Sequence, residues 1–317
     1  MKKIIRKAVI TAAGKGTRHY PATNAVQKEL FPLVDRDGVT KPTIQLVVEE
    51  ALAAGVEEIC LVVQPGADAV FKEHFAGLAH RHSLPDKPWI QQQSALLESM
   101  HTRLSFVFQQ SAEGFGHAVY SAAEWVGEEP FLLLLGDHVY LAPQPGWCSR
   151  RLLAVHEQSG QSVFGVQQTA GASLHLFGAV AGTPLLQNHP RVWRAAAVFE
   201  KPEITFAQQH CRTTGLADDR YLTFFGLYLF TPTIFAILRQ HIRQNLRERG
   251  EIQLTTAQAD LIQREGALAV EVDGLRLDMG TPRGYLETQL RLAMAGTLAA
   301  EISALIPPSP ETGAAVS

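Results

Sequence analysis

Apolar positions along the chain fall into two patterns, continuous short runs and stripes of helical period, and the two alternate. The first run, Lys7 to Ala13, has the character of a buried strand and passes directly into Gly14-Lys-Gly16. A helix is predicted to begin at Pro42, with Ile44, Val47, Val48, Ala51 and Leu52 on one face and Gly55 as its stop. Glu58 to Val63 is a second strand, bounded by Gln64-Pro-Gly66. Strand, helix, strand with uninterrupted apolar strands is a βαβ unit of a parallel sheet. The unit recurs: Ser105 to Gln109 as a strand, His117 to Val126 as a helix, and Phe131 to Leu135 as a central strand ending at Gly136-Asp137. Further strands are predicted over 162–167, 192–199 and 221–230, the last two with the partial alternation of a mixed sheet. Helices follow over 232–248 and 255–265, then a strand over 267–278 and a last helix over 282–298. The expectation is an α/β fold around a central, mostly parallel mixed sheet. With no internal repeat and no linker, residues 1–300 form one domain, and 301–317, rich in proline and small residues, form a loosely ordered C-terminal tail.

Composition narrows the class. The chain has 317 residues, of which 46% are hydrophobic and 19% charged, which excludes disordered, collagen-like and disulfide-scaffold proteins. A net charge of −3 provides no bulk basic field for a nucleic acid polymer or an anionic membrane, although it averages over any local cationic pocket. Cys60, Cys148 and Cys211 match no metal or redox spacing and read as idle thiols. The N-terminal lysines precede an apolar run, Ala8 to Ile10, too short for a signal peptide, and no stretch approaches a membrane span. A cytoplasmic, soluble protein is expected.

The chemistry concentrates first in Ala12-Ala13-Gly14-Lys15-Gly16-Thr17-Arg18. Glycines just past a strand let backbone N–H groups approach an anion, and Arg18 and Lys28 add fixed positive charge. A dinucleotide fingerprint fails because His19 stands where a third glycine is required. A Walker A loop fails at Val9 and Gly16. Gly136-Asp137 lies at the carboxyl end of a strongly apolar strand, where open α/β sheets bind ligands. A carboxylate there is costly to desolvate unless a cation or hydrogen bonds compensate it. Leu277-Asp278-Met-Gly280 places a second aspartate before a glycine at another strand end. Gln109 precedes Gly114-Phe-Gly116-His117-Ala118, and a glutamine amide can both donate and accept; Gln110 competes for the same place, but the spacing to Gly114 favours Gln109. Phe177-Gly178-Ala-Val180, Glu200-Lys201-Pro202 and Gly250-Glu-Ile-Gln-Leu-Thr255 complete the set. The twelve histidines show no i, i+4 zinc pairing.

In this order and across nearly the whole chain, these motifs resemble the nucleotidyltransferases that join a nucleoside triphosphate to a sugar 1-phosphate, and most of all the bacterial UTP–glucose-1-phosphate uridylyltransferases. The resemblance implies a Rossmann-like three-layer sandwich of the nucleotide-diphospho-sugar transferase type. It implies Mg²⁺ on Asp137 and Asp278, nucleotide contacts from Ala12, Ala13, Gly14, Gly16, Thr17, Gln109, Gly114, Gly116 and His117, and sugar-phosphate contacts from Gly178, Glu200 and Lys201. Arg18 and Lys28 would hold the leaving pyrophosphate and Lys201 the incoming phosphate. The partners implied are a nucleoside triphosphate and a sugar 1-phosphate, with a homo-oligomer suggested. The family usually carries lysine where Asn24 stands, proline where Gln27 stands and aspartate at Thr256, and Arg36 to Thr40 is an insertion. These departures bear on substrate identity and on catalytic strength; the alternatives are another nucleotide or sugar, such as dTTP or galactose 1-phosphate, a weakly catalytic nucleotide-sugar-binding regulator, which Asn24 and Thr256 motivate, and, last and against His19, a Rossmann oxidoreductase.

Overall fold

The computed structural model describes residues 5–77, 87–185 and 191–305. Thirteen strands are present among them: β1 (Lys7–Thr11), β2 (Pro32–Val34), β3 (Thr40–Pro42), β4 (Glu58–Val63), β5 (Leu104–Phe108), β6 (Phe131–Leu135), β7 (His138–Leu141), β8 (Ser162–Ala170), β9 (Ala179–Pro184), β10 (Val192–Phe199), β11 (Arg220–Phe230), β12 (Ala267–Glu271) and β13 (Leu275–Asp278). Nine of them form one sheet, in the order β5-β4-β1-β6-β11-β8-β12-β10-β9, while β7–β13 and β2–β3 are separate ribbons. The first four strands are parallel, as the βαβ pattern requires. Beyond β6 the sheet is mixed, so four of the eight neighbouring pairs are parallel rather than most of them.

Helices cover both faces. On one side lie α1 (Thr43–Ala53), α2 (Asp68–Phe75) and α3 (Pro88–His101). On the other lie α4 (Phe115–Tyr120) and α5 (Ala123–Val126), while α6 (Trp147–Ser159) returns to the first. After α7 (Ile204–His210), α8 (Thr233–Gln244) and α9 (Leu254–Glu265) complete the second layer, and α10 (Pro282–Met294) and α11 (Ala299–Leu305) end the described chain. Strand side chains alternate between the layers. Leu132 and Leu134 of β6 pack with Ile44, Val48 and Leu152, whereas Phe131 and Leu133 pack with Val119, Phe235 and Leu261. A third cluster, around Phe31, Leu33, Val139, Leu277 and Met279, seats the ribbons against α10.

Several boundaries differ from the sequence pattern. Pro42 is not the first helical residue: it is paired with Pro32 in the β2–β3 ribbon and held extended, at ψ 148°, as the residue before α1. The pattern over 232–248 stops at Asn245, which turns left-handed at φ 50°. The 267–278 run breaks in two, because Gly274 passes close to α6, where a Cβ would stand 2.7 Å from Cys148 Sγ, and β13 leaves the main sheet to pair with β7. In the expected tail, 301–305 belong to α11, and 306–317 lie outside the described residues. The sequence pattern also passed over α6, whose N-terminus is buried and capped from elsewhere. Glu50 of α1 accepts from the Gly146 and Ser149 N–H groups at 2.7 and 2.9 Å. The inserted Arg36–Thr40 segment is the turn of the β2–β3 ribbon, fastened by Arg36 N–H groups to Asp35 Oδ1 and Ala142 O. All three cysteines are buried and unpaired, with burial pushing the Cys60 thiol up to about 12 and that of Cys211 to about 11.

Candidate active site

The carboxyl ends of β1 and β6 lie side by side, with Gly136 N–H donating to Thr11 O at 2.9 Å. The loop after β1 and the turn after β6 therefore face each other. Lys28 lies over the loop: a Cβ on Gly14 would be 3.1 Å from its Nζ. Lys28 Nζ donates to Asp137 Oδ2 at 2.6 Å and stands 3.7 Å from Glu29. Asp137 Oδ1 is 3.1 Å from His138 Nδ1.

Asp278 arrives by another route. β13 pairs antiparallel with β7 so that Asp278 stands directly opposite His138. Asp278 Oδ1 accepts from Gly280 N–H at 2.7 Å, and Met279 N–H donates to Asp137 O at 2.9 Å. The buried His19 ring completes the tie, with Nε2 2.6 Å from Met279 O. Asp137, His138 and Asp278 thus bring one potential ligand atom each to within 4.8 Å of the others. That donor set fits a divalent cation.

The electrostatics follow from burial and pairing. Burial alone would raise the Asp137 carboxyl, but the His138 hydrogen bond and the Lys28 charge outweigh it and hold Asp137 well below the usual carboxylate range. Burial works to lower Lys28, and Asp137 and Glu29 override it, so the ammonium is held charged. Glu29 differs: burial pushes its carboxyl up to about 8 against the pull of Lys28, and its Oε2 has no hydrogen-bond partner.

Two cavities open from Asp137. One, of about 470 Å³, is lined by Ala13, Gly14, Lys15, Thr17, Lys28, Gln109 and Gly114 among others. The second, of about 210 Å³, is lined by Arg18, His138, Gly178, Glu200, Lys201, Arg276 and Asp278 among others. Phe115, Leu135 and Asp137 line both. Arg18, expected beside Lys28 at the leaving pyrophosphate, faces instead the second cavity, against Gly280, where a Cβ would be 2.5 Å from its guanidinium. Ala12, Gly16, Gly116 and His117 border neither cavity. The Ala12 N–H is used on Val62 O, Gly16 supplies a left-handed turn at φ 62°, and Gly116 N–H donates to Ile252 O at 2.9 Å. His117 stands 3.2 Å from the Gln109 amide, which also donates to Gly114 O at 3.1 Å. Glu200 is oriented by Thr255, whose hydroxyl donates to Oε2 at 2.7 Å, and Lys201 adopts a left-handed φ of 46° beside it.

Sequence reasoning passed over Glu29, His138 and Arg276. Arg276 had a signal, since it lies two residues before Asp278 on one strand and so shares its face. Its guanidinium lies 3.7 Å over the Phe177 ring and donates to Phe224 O, and burial lowers it to about 10.

Residues 7–294 match the profile of the nucleotidyl transferase family. The chain belongs to that family. Among nucleotidyl transferases, it is 35% identical to the UTP–glucose-1-phosphate uridylyltransferase of Bacillus subtilis strain 168, over 93% of this chain and 92% of the relative. A counterpart from Staphylococcus saprophyticus is 34% identical over 92% and 93%. The fold is similar to that of a UTP-bound UGPase from Acinetobacter baumannii, at a TM-score of 0.74 and 26% identity over 96% of this chain and all of that one. It is likewise similar to a UDP-glucose pyrophosphorylase complexed with UDP-glucose, at a TM-score of 0.71 and 26% identity over 90% and 97%. Among the described residues, no helix of this nucleotidyl transferase is long and apolar enough to cross a membrane.

Proposed function

We propose that this chain transfers a uridylyl group from UTP to glucose 1-phosphate, releasing pyrophosphate and leaving UDP-glucose. The observation that carries the reading is the meeting of two differently lined cavities at Asp137. It is supported by relatives named for this reaction, which do not favour the dTTP alternative, the regulator or an oxidoreductase.

The glycine-bordered cavity takes the nucleotide. With the Gln109 Nε2 donating to Gly114 O, the amide carbonyl is the group that accepts from a uracil N3–H. Lys15 and Lys28 face the triphosphate there. The second cavity takes the sugar phosphate, with Lys201, Arg18 and the half-buried Arg276 supplying three cationic groups for the incoming phosphate, and Glu200 and Gly178 orienting the sugar. A Cβ at residue 178 would stand 2.6 Å from the Phe224 ring and 3.4 Å from Glu200 Oε2, so only glycine leaves that wall open.

A phosphate oxygen that is already anionic attacks the α-phosphorus in line, and no general base is required. The protein's work is to hold two anions at one seam and to stabilise charge where it develops. The family generally uses a divalent metal, and Asp137 and Asp278 would hold Mg²⁺ here, which when bound supplies Lewis-acid stabilisation of the reacting phosphates. Lys28 already sits on Asp137 Oδ2 and moves to the leaving pyrophosphate as substrate enters. A cytoplasmic location belongs to the same reading.

Pyrophosphate release from UTP, dTTP, CTP and ATP against glucose 1-phosphate and galactose 1-phosphate tests the proposal. The expected result is the highest kcat/KM for UTP with glucose 1-phosphate. Release from no pair, or a tenfold preference for dTTP, defeats it.

A further inference from the structure

The third member of the donor set is an imidazole, and the fold takes trouble to place it. His138 is the first residue of β7, immediately after Asp137, and cross-strand pairing sets it beside Asp278. Directly opposed residues of an antiparallel pair have Cβ atoms ~4.5–5.5 Å apart on one face. The ring needs room on its other side, and β11 provides it. The β11 register shifts between Phe224 and Tyr228, and within the shift Gly226 adopts φ 76°. A Cβ there would stand 2.8 Å from His138 Cδ2. The Tyr140 hydroxyl fixes this bulge by donating to Gly226 O at 2.6 Å. A bulge carrying a left-handed glycine re-aims or clears a neighbouring side chain.

Among the described residues, the one hydrogen bond of His138 runs from Nδ1 to Asp137 Oδ1, at 3.1 Å. Donors held ~2.1 Å from an octahedral cation are separated by roughly 3 Å across an edge and roughly 4.2 Å across a diagonal. The Nδ1–Oδ1 separation is close to the edge, and a set spread over up to 4.8 Å would draw in by a few tenths of an ångström to close on the ion.

We propose that His138 is the third protein ligand of the divalent cation, completing with Asp137 and Asp278 a two-carboxylate, one-imidazole set that selects Mn²⁺ or Co²⁺ over Mg²⁺. The inference rests on the metal reading above and changes which cation the site prefers. Mg²⁺ is a hard ion that favours oxygen and water, whereas imidazole suits later divalent ions, whose affinity for a nitrogen-containing site rises along the first row.

Mn²⁺ bound to the purified protein, with and without UDP-glucose, is followed by electron paramagnetic resonance with electron-spin-echo modulation, and Mn²⁺ and Mg²⁺ affinities are measured by calorimetry. The expected results are ¹⁴N modulation in the wild type, its loss in His138→Ala, and at least a tenfold fall in Mn²⁺-over-Mg²⁺ preference in His138→Asp. Bound Mn²⁺ without nitrogen coupling, coupling that persists in His138→Ala, or an unchanged preference in His138→Asp overturns the assignment of His138 while leaving the carboxylate pair standing. If Mn²⁺ binds under neither condition, or still binds after both Asp137→Asn and Asp278→Asn, the metal reading itself falls and this one with it. The wild-type spectrum and His138→Asp keep the question decidable should His138→Ala fold poorly.

Discussion

Asp137→Asn is expected to lower the rate of pyrophosphate release by about three orders of magnitude, the scale on which enzymes lose a preorganised charge at the reacting centre. Three functions meet on this side chain. It borders both cavities, it is held in its charged form against its own burial, and its Oδ2 anchors Lys28. Asparagine preserves shape and hydrogen-bonding capacity but not charge. The fold has an independent anchor at the same residue, because the Asp137 backbone carbonyl accepts from Met279 whatever the side chain. Breaking a buried ion pair still costs about 3–5 kcal/mol of stability, so urea denaturation should accompany the kinetics. A variant that unfolds cooperatively but is slow places the loss in the reaction. A variant retaining more than a tenth of wild-type turnover removes Asp137 from the centre of the mechanism.

Glu29→Gln is expected to make the protein more stable than the wild type at alkaline pH and to lessen its loss of stability between pH 5 and 8. The Glu29 carboxyl rises from its ordinary value of 4.5 to about 8 in the fold, chiefly through burial. Below pH 4.5 both folded and unfolded chains hold the proton, and burial carries no ionic penalty. Between 4.5 and 8 the unfolded chain releases the proton while the folded one keeps it, so stability declines as pH rises. Above 8 both are ionised and the penalty is complete. At ~1.4 kcal/mol per pH unit the window corresponds to roughly 5 kcal/mol. Urea midpoints at pH 5, 6.5 and 8.5 check this: the wild type should fall across the series more steeply than the variant. Parallel curves would show that Glu29 ionises normally in the native state.

Much of the architecture was legible in the sequence, for identifiable reasons. Strands buried on both faces are continuous apolar runs, and β1, β4 and β6 appear where such runs do. The β7–β13 ribbon was hidden because its partners are over a hundred residues apart and one continues an apolar pattern straight out of the main sheet. The helix α6 was hidden because its start signal, Glu50, lies on another helix. Asp137, Asp278, Gly14, Gln109, Gly178, Glu200 and Lys201 all reach the two cavities or their seam. Ala12, Gly16, Gly116 and His117 stand behind the walls, since a motif names a stretch of chain without saying which of its atoms are already committed to the fold. His138 escaped notice because its significance comes from the residue opposite it, not from its neighbours in sequence.

The departure of β13 from the main sheet has a mechanical consequence. Asp137 stands in the turn between β6 of the main sheet and β7 of the ribbon, Asp278 ends β13, and the Met279 N–H to Asp137 O bond and the Met279 contact with His19 fasten the two together. A cation held by both aspartates would therefore pin the mouth of the ribbon to the end of the main sheet. Whatever loosens the ribbon weakens the grip, and whatever tightens the grip damps the opening of the ribbon. Amide exchange along β7 and β13 thus records the occupancy of a site that lies beyond the edge of both.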